Sequence, residues 1–167
     1  MMRYECLFFG LLLMSAITTI GQEGALTNPK LDLAVGTTFM HLGTAPSVNL
    51  MGVGLSGQYR LSNRLGFVGE FNAGYGSGIS ARTLLFGPEI SLRRHYSPFA
   101  HILIGGAHVS EGPFSSGSFA TEIGGGVDVN VEGKISWRLA EFDYMPTYFH
   151  QGRQDNFRLG TGLVFRF

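Results

Sequence analysis

Cysteine is almost absent: the chain has one, Cys6, in 167 residues. That excludes a disulfide scaffold, which needs several paired cysteines. Neither charge is in surplus, because twelve Lys and Arg balance twelve Asp and Glu, and only 14% of the residues are charged; ordinary soluble domains carry about 25%. A nucleic-acid binder wants a basic excess and a disordered chain wants low hydrophobicity, so the balanced charge and 44% hydrophobic content exclude both. After the N-terminal segment no apolar run approaches the roughly 18 residues of a membrane helix, and helical periodicity is missing throughout. What is abundant is glycine, 25 residues, about twice its usual ~7% share. The length fits one domain.

The first residues read as a secretory signal peptide over 1–21. Arg3 supplies the positive start, Leu7 to Met14 the apolar run, and Thr19-Ile20-Gly21 the small residues for cleavage before Gln22. The run is too short to span a bilayer as a helix. Cys6 follows Arg3-Tyr4-Glu5, which lacks the small-residue context of a lipoprotein signal, so it leaves with the signal and the mature chain has no cysteine. A short lead, 22–30, then precedes the folded domain, 31–167.

Turn signals recur with near-regular spacing at Gly43-Thr44-Ala45-Pro46, Ser62-Asn63-Arg64, Gly76-Ser77-Gly78, Arg94-His95-Tyr96-Ser97-Pro98, Glu111-Gly112-Pro113, Glu132-Gly133 and Gln151-Gly152-Arg153. They separate eight segments that alternate in hydrophobicity with period two, which predicts strands joined as consecutive antiparallel hairpins. The breaks after the second, fourth and sixth segments are tight. The others are richer in Gly, Ser and Pro and are expected to be longer loops.

The faces decide between water and lipid. In 157–167 one face is Phe157, Leu159, Thr161, Leu163, Phe165 and Phe167, and the other is Arg158, Gly160, Gly162, Val164 and Arg166. The third segment divides likewise, with Leu65, Phe67 and Phe71 against Gly66, Val68, Glu70 and Asn72. A soluble cup would put its bulk inside and its charges outside. Here glycines and isolated charges share one face, as in a barrel with lipid around a narrow polar lumen. Aromatic residues near strand ends, among them Phe39, Tyr59, Tyr75, Trp137, Tyr144 and Phe157, suit interfacial girdles. Backbone in hydrocarbon must be hydrogen-bonded internally, so the strands have to close. Inward glycines would leave room for the few long ionisable residues. The predicted fold is all-β: an eight-stranded antiparallel up-and-down transmembrane β-barrel.

The seventh segment breaks the alternation. Strict period two from Ile135 keeps Arg138 inside but turns Glu141 and Asp143 into lipid. A β-bulge near Leu139-Ala140 would return both acids to the lumen, with Phe142 and Tyr144 outward.

With these features the chain resembles the small outer-membrane β-barrel families, of the type formed by the OmpA transmembrane domain and the opacity-porin-like proteins. The resemblance rests on the signal segment, the hairpin pattern over 31–167, the segment Phe119 to Val129, Arg138 followed by Asp143-Tyr144, and the ending Leu163-Val164-Phe165-Arg166-Phe167. It implies an integral place in the cell outer membrane with the longer loops extracellular. The partners implied are outer-membrane lipid and lipopolysaccharide, the barrel-assembly machinery and periplasmic chaperones. Leu163, Phe165 and Phe167 are similar to the signal that machinery reads. Full-length OmpA-type proteins carry a further soluble domain, so their peptidoglycan anchoring is not implied.

The candidate lumen network is Glu70, Glu89, His101, Glu122, Arg138, Glu141, Asp143 and Arg158, with Arg60, Arg93, Asp128 and Arg166 toward the tight-turn end. It reads either as a salt-bridge ladder that fills the barrel and fixes register, or as the lining of a narrow pore whose surplus of acids favours cations. A separate hint is His108-Val109-Ser110, which puts a nucleophile and its base on one face and is similar to the His-x-Ser pair of the lipid A deacylase family. His95-Tyr96-Ser97 repeats the spacing at the opposite end. His41, His108 and His150 share no metal-ligand spacing, so no metal is expected. Gly124-Gly125-Gly126 lacks the helix and Lys-Ser/Thr of a phosphate loop, and no cofactor or nucleic acid is expected. The loops Pro113 to Ser118 and Pro146 to Asn156 offer Gly, Ser and aromatic surface to an extracellular partner. The chain is thus expected to be non-enzymatic, with a structural or surface-interaction role.

Overall fold

A computed structural model describes residues 30–149 and 152–167. The expected signal peptide, Cys6, most of the lead and His150 lie outside the described residues. The chain forms β1 (Leu31–Leu42), β2 (Val48–Arg60), β3 (Leu65–Gly76), β4 (Ile79–Ser91), β5 (Tyr96–Glu111), β6 (Phe114–Glu132), β7 (Ile135–Phe149) and β8 (Gly152–Arg166). Each strand pairs antiparallel with the next, and β1 pairs with β8 to close the barrel.

Period-two alternation sets the faces. Val53, Leu55, Phe67, Phe71, Leu84, Phe86, Ile102, Ile104, Phe142, Leu159 and Leu163 are exposed outward, whereas Glu70, Glu89, Glu122, Asp143 and Arg158 are buried inward. A belt of this size is far beyond the few hundred Å2 of apolar patch that a soluble monomer shows to water. Hydrocarbon is its matching solvent, and closure leaves no unpaired strand edge within it.

The bulge falls on the expected residues. Asp128 pairs with Arg138 and Val127 with Ala140, which leaves Leu139 as the extra residue against β6. On the β8 side the register steps from Arg138↔Gly162 to Glu141↔Gly160. Leu139 and Phe142 face out, and Glu141 and Asp143 face in. Thr161, opposite the bulge, repairs the ladder: its hydroxyl donates to the Arg138 carbonyl at 2.9 Å and accepts from the Trp137 indole at 3.2 Å. This explains a polar residue on the lipid side.

Loop length departs from expectation. The connection after β1, 43–47, is longer and that after β6, 133–134, is tight, as expected, but those after β3 and β5 are only 77–78 and 112–113, β7 ends at Phe149 with β8 beginning at Gly152, and the opposite end has 61–64 and 92–95. Segments expected to be loops are strand: Ser115 pairs with Ser110, Gly117 with His108, and Tyr148 with Arg153. Gly and Ser lower strand propensity but leave the backbone donors and acceptors intact, so a tight turn upstream carries the ladder through them. Ser77 and Gly78, with φ of 53° and 78°, form one such turn. The two ends are called below the loop end, where β1 finishes, and the turn end, where β1 begins and β8 finishes.

The glycines also divide in role. Gly124 and Gly160 leave room for lumen side chains: a Cβ at Gly124 would stand 1.8 Å from Asp143 Oδ1, and one at Gly160 3.1 Å from Glu141 Oε2. Gly36 and Gly162 serve the wall. They are partners across the closing seam, and a Cβ on either would lie 2.1–2.3 Å from a carbonyl oxygen of the facing strand.

Candidate functional site

The interior is layered. At the loop end Met40, Leu42, Leu50 and Ala81 are buried together, with Val48, Ile79 and Val109 packed against them. A second apolar cluster, Val68, Leu85, Leu103, Ala107, Ala120 and Met145, lines the β3 to β7 side. This apolar packing is missing from the sequence reading, which has a lumen of glycines and charges.

Next comes the polar centre. Arg158, from β8, is 2% exposed. It binds Glu70 of β3, Asp143 of β7 at 2.7 Å and Glu122 of β6 at 3.2 Å. His101 of β5 completes the group, with Nε2 3.0 Å from Asp143 Oδ1 and 3.4 Å from Glu122 Oε1. Nδ1 lies 4.0 Å from Glu89. Asn72 donates to Glu70 at 2.6 Å. Each charge thus meets an opposite one where water is scarce, as a buried ion must. The cavity beside Arg158, between Gly36, Gly54, Arg138 and Gly160, holds only about 20 Å3, room for a water molecule or two.

A second group lies toward the turn end. Arg138 donates to Asp128 at 2.9 Å and to Glu141 at 3.1 Å. Its guanidinium stands 4.3 Å over the Phe99 ring, a cation–π contact. Gln58 donates to Glu89 at 2.7 Å. At the mouth, Asp32 accepts from Arg93 at 2.7 Å and from Arg60 at 3.3 Å, and Arg60 also reaches Ser91 at 3.0 Å.

All eight expected lumen residues therefore face the interior and fall into two neighbouring groups, around Arg158 and around Arg138. Asn72 and Gln58, which alternation puts on the inner face, join them, and two more are missing from the expectation: Asp32 and Phe99. Alternation alone could have supplied Asp32, which shares the face of Thr38 and Met40.

His101, Glu122 and Asp143 are also the residue types of a metal centre, with ligand atoms within 4.8 Å of one another. Arg158 Nη2 already bonds both carboxylates. A metal ion there would stand against a guanidinium, so the donor set fits an ion-pair network better than a cation site.

His108 and Ser110 do share a face, and it is the outer one. Across the strands His108 meets Arg82 and Gly117, and Ser110 meets Ser80 and Ser115. None of these is a carboxylate to orient the imidazole, and the two side chains are not hydrogen-bonded to each other. His41 is engaged by Asn49 at 2.7 Å. Leu163 and Phe167 are exposed on the outside, and Phe167 joins the sheet by donating its backbone N–H to Leu31 at 2.7 Å.

No protein-family model matches the chain, and no curated protein is significantly similar to it. Solved structures do match. Neisserial surface protein A aligns at a TM-score of 0.69 with 15% identity, over 87% of this chain and 100% of that one. Ail, the attachment invasion locus protein of Yersinia pestis, aligns at 0.57 with 16% identity, over 83% of this chain and 99% of its own. The N-terminal β-barrel domain of Pseudomonas aeruginosa OprF aligns at 0.52 with 12% identity, again over 83% and 99%. At such identities the likeness is one of fold. The chain has the closed eight-stranded architecture of small outer-membrane β-barrels.

Proposed function

We propose that the protein is an integral outer-membrane barrel, closed to ions and without catalytic activity, that serves the membrane structurally or presents its loop end to a surface partner. The observation that carries this reading is the filled interior: Arg158, bound to three carboxylates, lies beside the apolar Met40–Leu50 cap, and the cavity next to it has space only for water. In this reading the loop end is extracellular. Lipid and lipopolysaccharide surround the belt, and the barrel-assembly machinery and periplasmic chaperones deliver the chain through Leu163, Phe165 and Phe167. The β5–β6 and β7–β8 hairpin tips are the surface for any extracellular partner.

Gel mobility of the outer-membrane fraction, heated against unheated in detergent, tests the barrel and its location; a compact species that shifts on boiling is expected. Planar-bilayer recording tests closure. Silence is expected, and steady cation-selective steps would replace this reading with that of a narrow pore. The acyl pattern of lipid A from cells with and without the protein should be identical. A lost acyl chain would revive the His108-Ser110 pair as an enzyme.

A further inference from the structure

Among the described residues the turn-end mouth gathers three guanidiniums, of Arg60, Arg93 and Arg166, around one carboxylate, Asp32, which bonds two of them. The next carboxylate inward, Asp128, is bonded by Arg138, which Glu141 also holds. Arg166 is the extreme case. It lies directly across from Asp32 in the β1–β8 register, yet Asp32 turns to Arg60 and Arg93. Among the described residues Arg166 has no ion pair, its Nε has no hydrogen-bond partner, and the residue is only 7% exposed.

Other unmet groups surround it. Arg93 Nε, Ser136 Oγ and Asn130 Oδ1 are likewise buried without partners. Asn130 and Ser136 are cross-strand partners on β6 and β7, and Ser136 pairs with Val164, two residues before Arg166 on the same face of β8. A largely buried guanidinium that makes no ion pair and leaves its Nε–H without a partner is costly. A planar fork of N–H groups matches the oxygens of an oxyanion two at a time. The Ser136 hydroxyl adds a donor, and rotation of the Asn130 amide would add another.

We propose that this mouth is a binding site for a phosphate-class oxyanion, held by Arg166, Arg93 and Arg60 with Ser136 and Asn130 as supporting donors. The site is a terminus and not a passage. Further in, Glu89, Glu122 and Glu141 line the route, and their charge repels an anion that has come as far as Arg138. The phosphate could belong to a soluble anion or to the headgroup of a membrane lipid at the rim.

Calorimetric titration of the folded protein in zwitterionic detergent, with pyrophosphate at an ionic strength fixed by chloride, tests the proposal. Saturable binding of one anion is expected, with at least tenfold weaker affinity in Arg166→Met and no change in Arg153→Met, which lies at the opposite end. Absence of saturable binding to the wild type, or equal affinity in Arg166→Met, overturns it. Should Arg166→Met not fold, the arginine Nε–H NMR spectrum of the wild type decides: one buried Nε resonance must move with pyrophosphate and stay unmoved by chloride. Doping the micelles with phosphatidylglycerol separates the two sources. A headgroup site requires the lipid to weaken pyrophosphate binding, and a soluble-anion site requires it to have no effect.

Discussion

Arg158 reaches carboxylates on three other strands, so one side chain ties β3, β6 and β7 to β8 through the lumen. Its removal leaves Glu70, Glu122 and Asp143 as like charges in a space that water can hardly enter. Breaking a buried pair from one side costs about 3–5 kcal/mol, because the partner stays charged and unpaired. Arg158→Met should therefore lower the unfolding free energy of the barrel in lipid vesicles, read from its denaturant titration, by about that much. A midpoint within error of the wild type would mean that the network carries little of the stability. Thr161 offers a smaller test on the opposite face. Thr161→Val keeps the shape and leaves the Trp137 N–H and the Arg138 carbonyl without their partner. The expected loss is about 1–3 kcal/mol, and an unchanged midpoint would show that the bulge carbonyl needs no such repair.

At the scale of the strand, the bulge determines which of the following residues meet lipid. Deleting Leu139 removes the extra residue and leaves Ala140 in register with Val127, so alternation runs unbroken from Arg138 and Glu141 and Asp143 stay inward. Deleting Phe142, which is paired on both sides, instead turns Asp143 outward and Tyr144 inward. The Leu139 deletion should therefore retain the heat-shifted folded band, and the Phe142 deletion should abolish it. Loss of the band in the first, or its retention in the second, would refute the bulge as the setter of register. This feature was legible beforehand because ionised carboxylates in hydrocarbon are costly enough to overrule strict alternation. The faces of β3 and β8 were legible for a similar reason, since Phe alternates there with Glu, Arg or Gly. The apolar cap was not legible. Met40 and Leu50 face inward, but their neighbours Phe39 and Met51 face outward and are equally apolar, so the pattern offers no contrast. The hairpin tips were misread as long loops because Gly and Ser mark turns and tolerated strands alike. The mouth was legible in its arginines, since alternation supplies Arg60, Arg93 and Arg166, but not in Asp32, whose pairing with Arg60 and Arg93 has no periodic signature.

For the molecule as a whole, three layers follow one another along the axis: an apolar cap at the loop end, paired charges at the centre, and an arginine-rich mouth at the turn end. Fluctuation of ion pairs alone could open the centre, but an ion must also cross the cap, where Met40 and Leu50 are 1% and 0% exposed. The cap is therefore the tighter seal, because an ion crossing it finds no ligand to replace its water. Met40→Ser with Leu50→Ser should lower the stability of the barrel by about 4–10 kcal/mol in total, each large-to-small core change being worth about 2–5 kcal/mol. It should also produce steps of current in planar bilayers. Those steps should favour cations, since Glu70, Glu89, Glu122, Glu141 and Asp143 outnumber Arg138 and Arg158 along the route. The opposite pattern, silence in the Ser double variant and current in Arg158→Met, would place the seal in the charged layer and make the ion pairs themselves the gate.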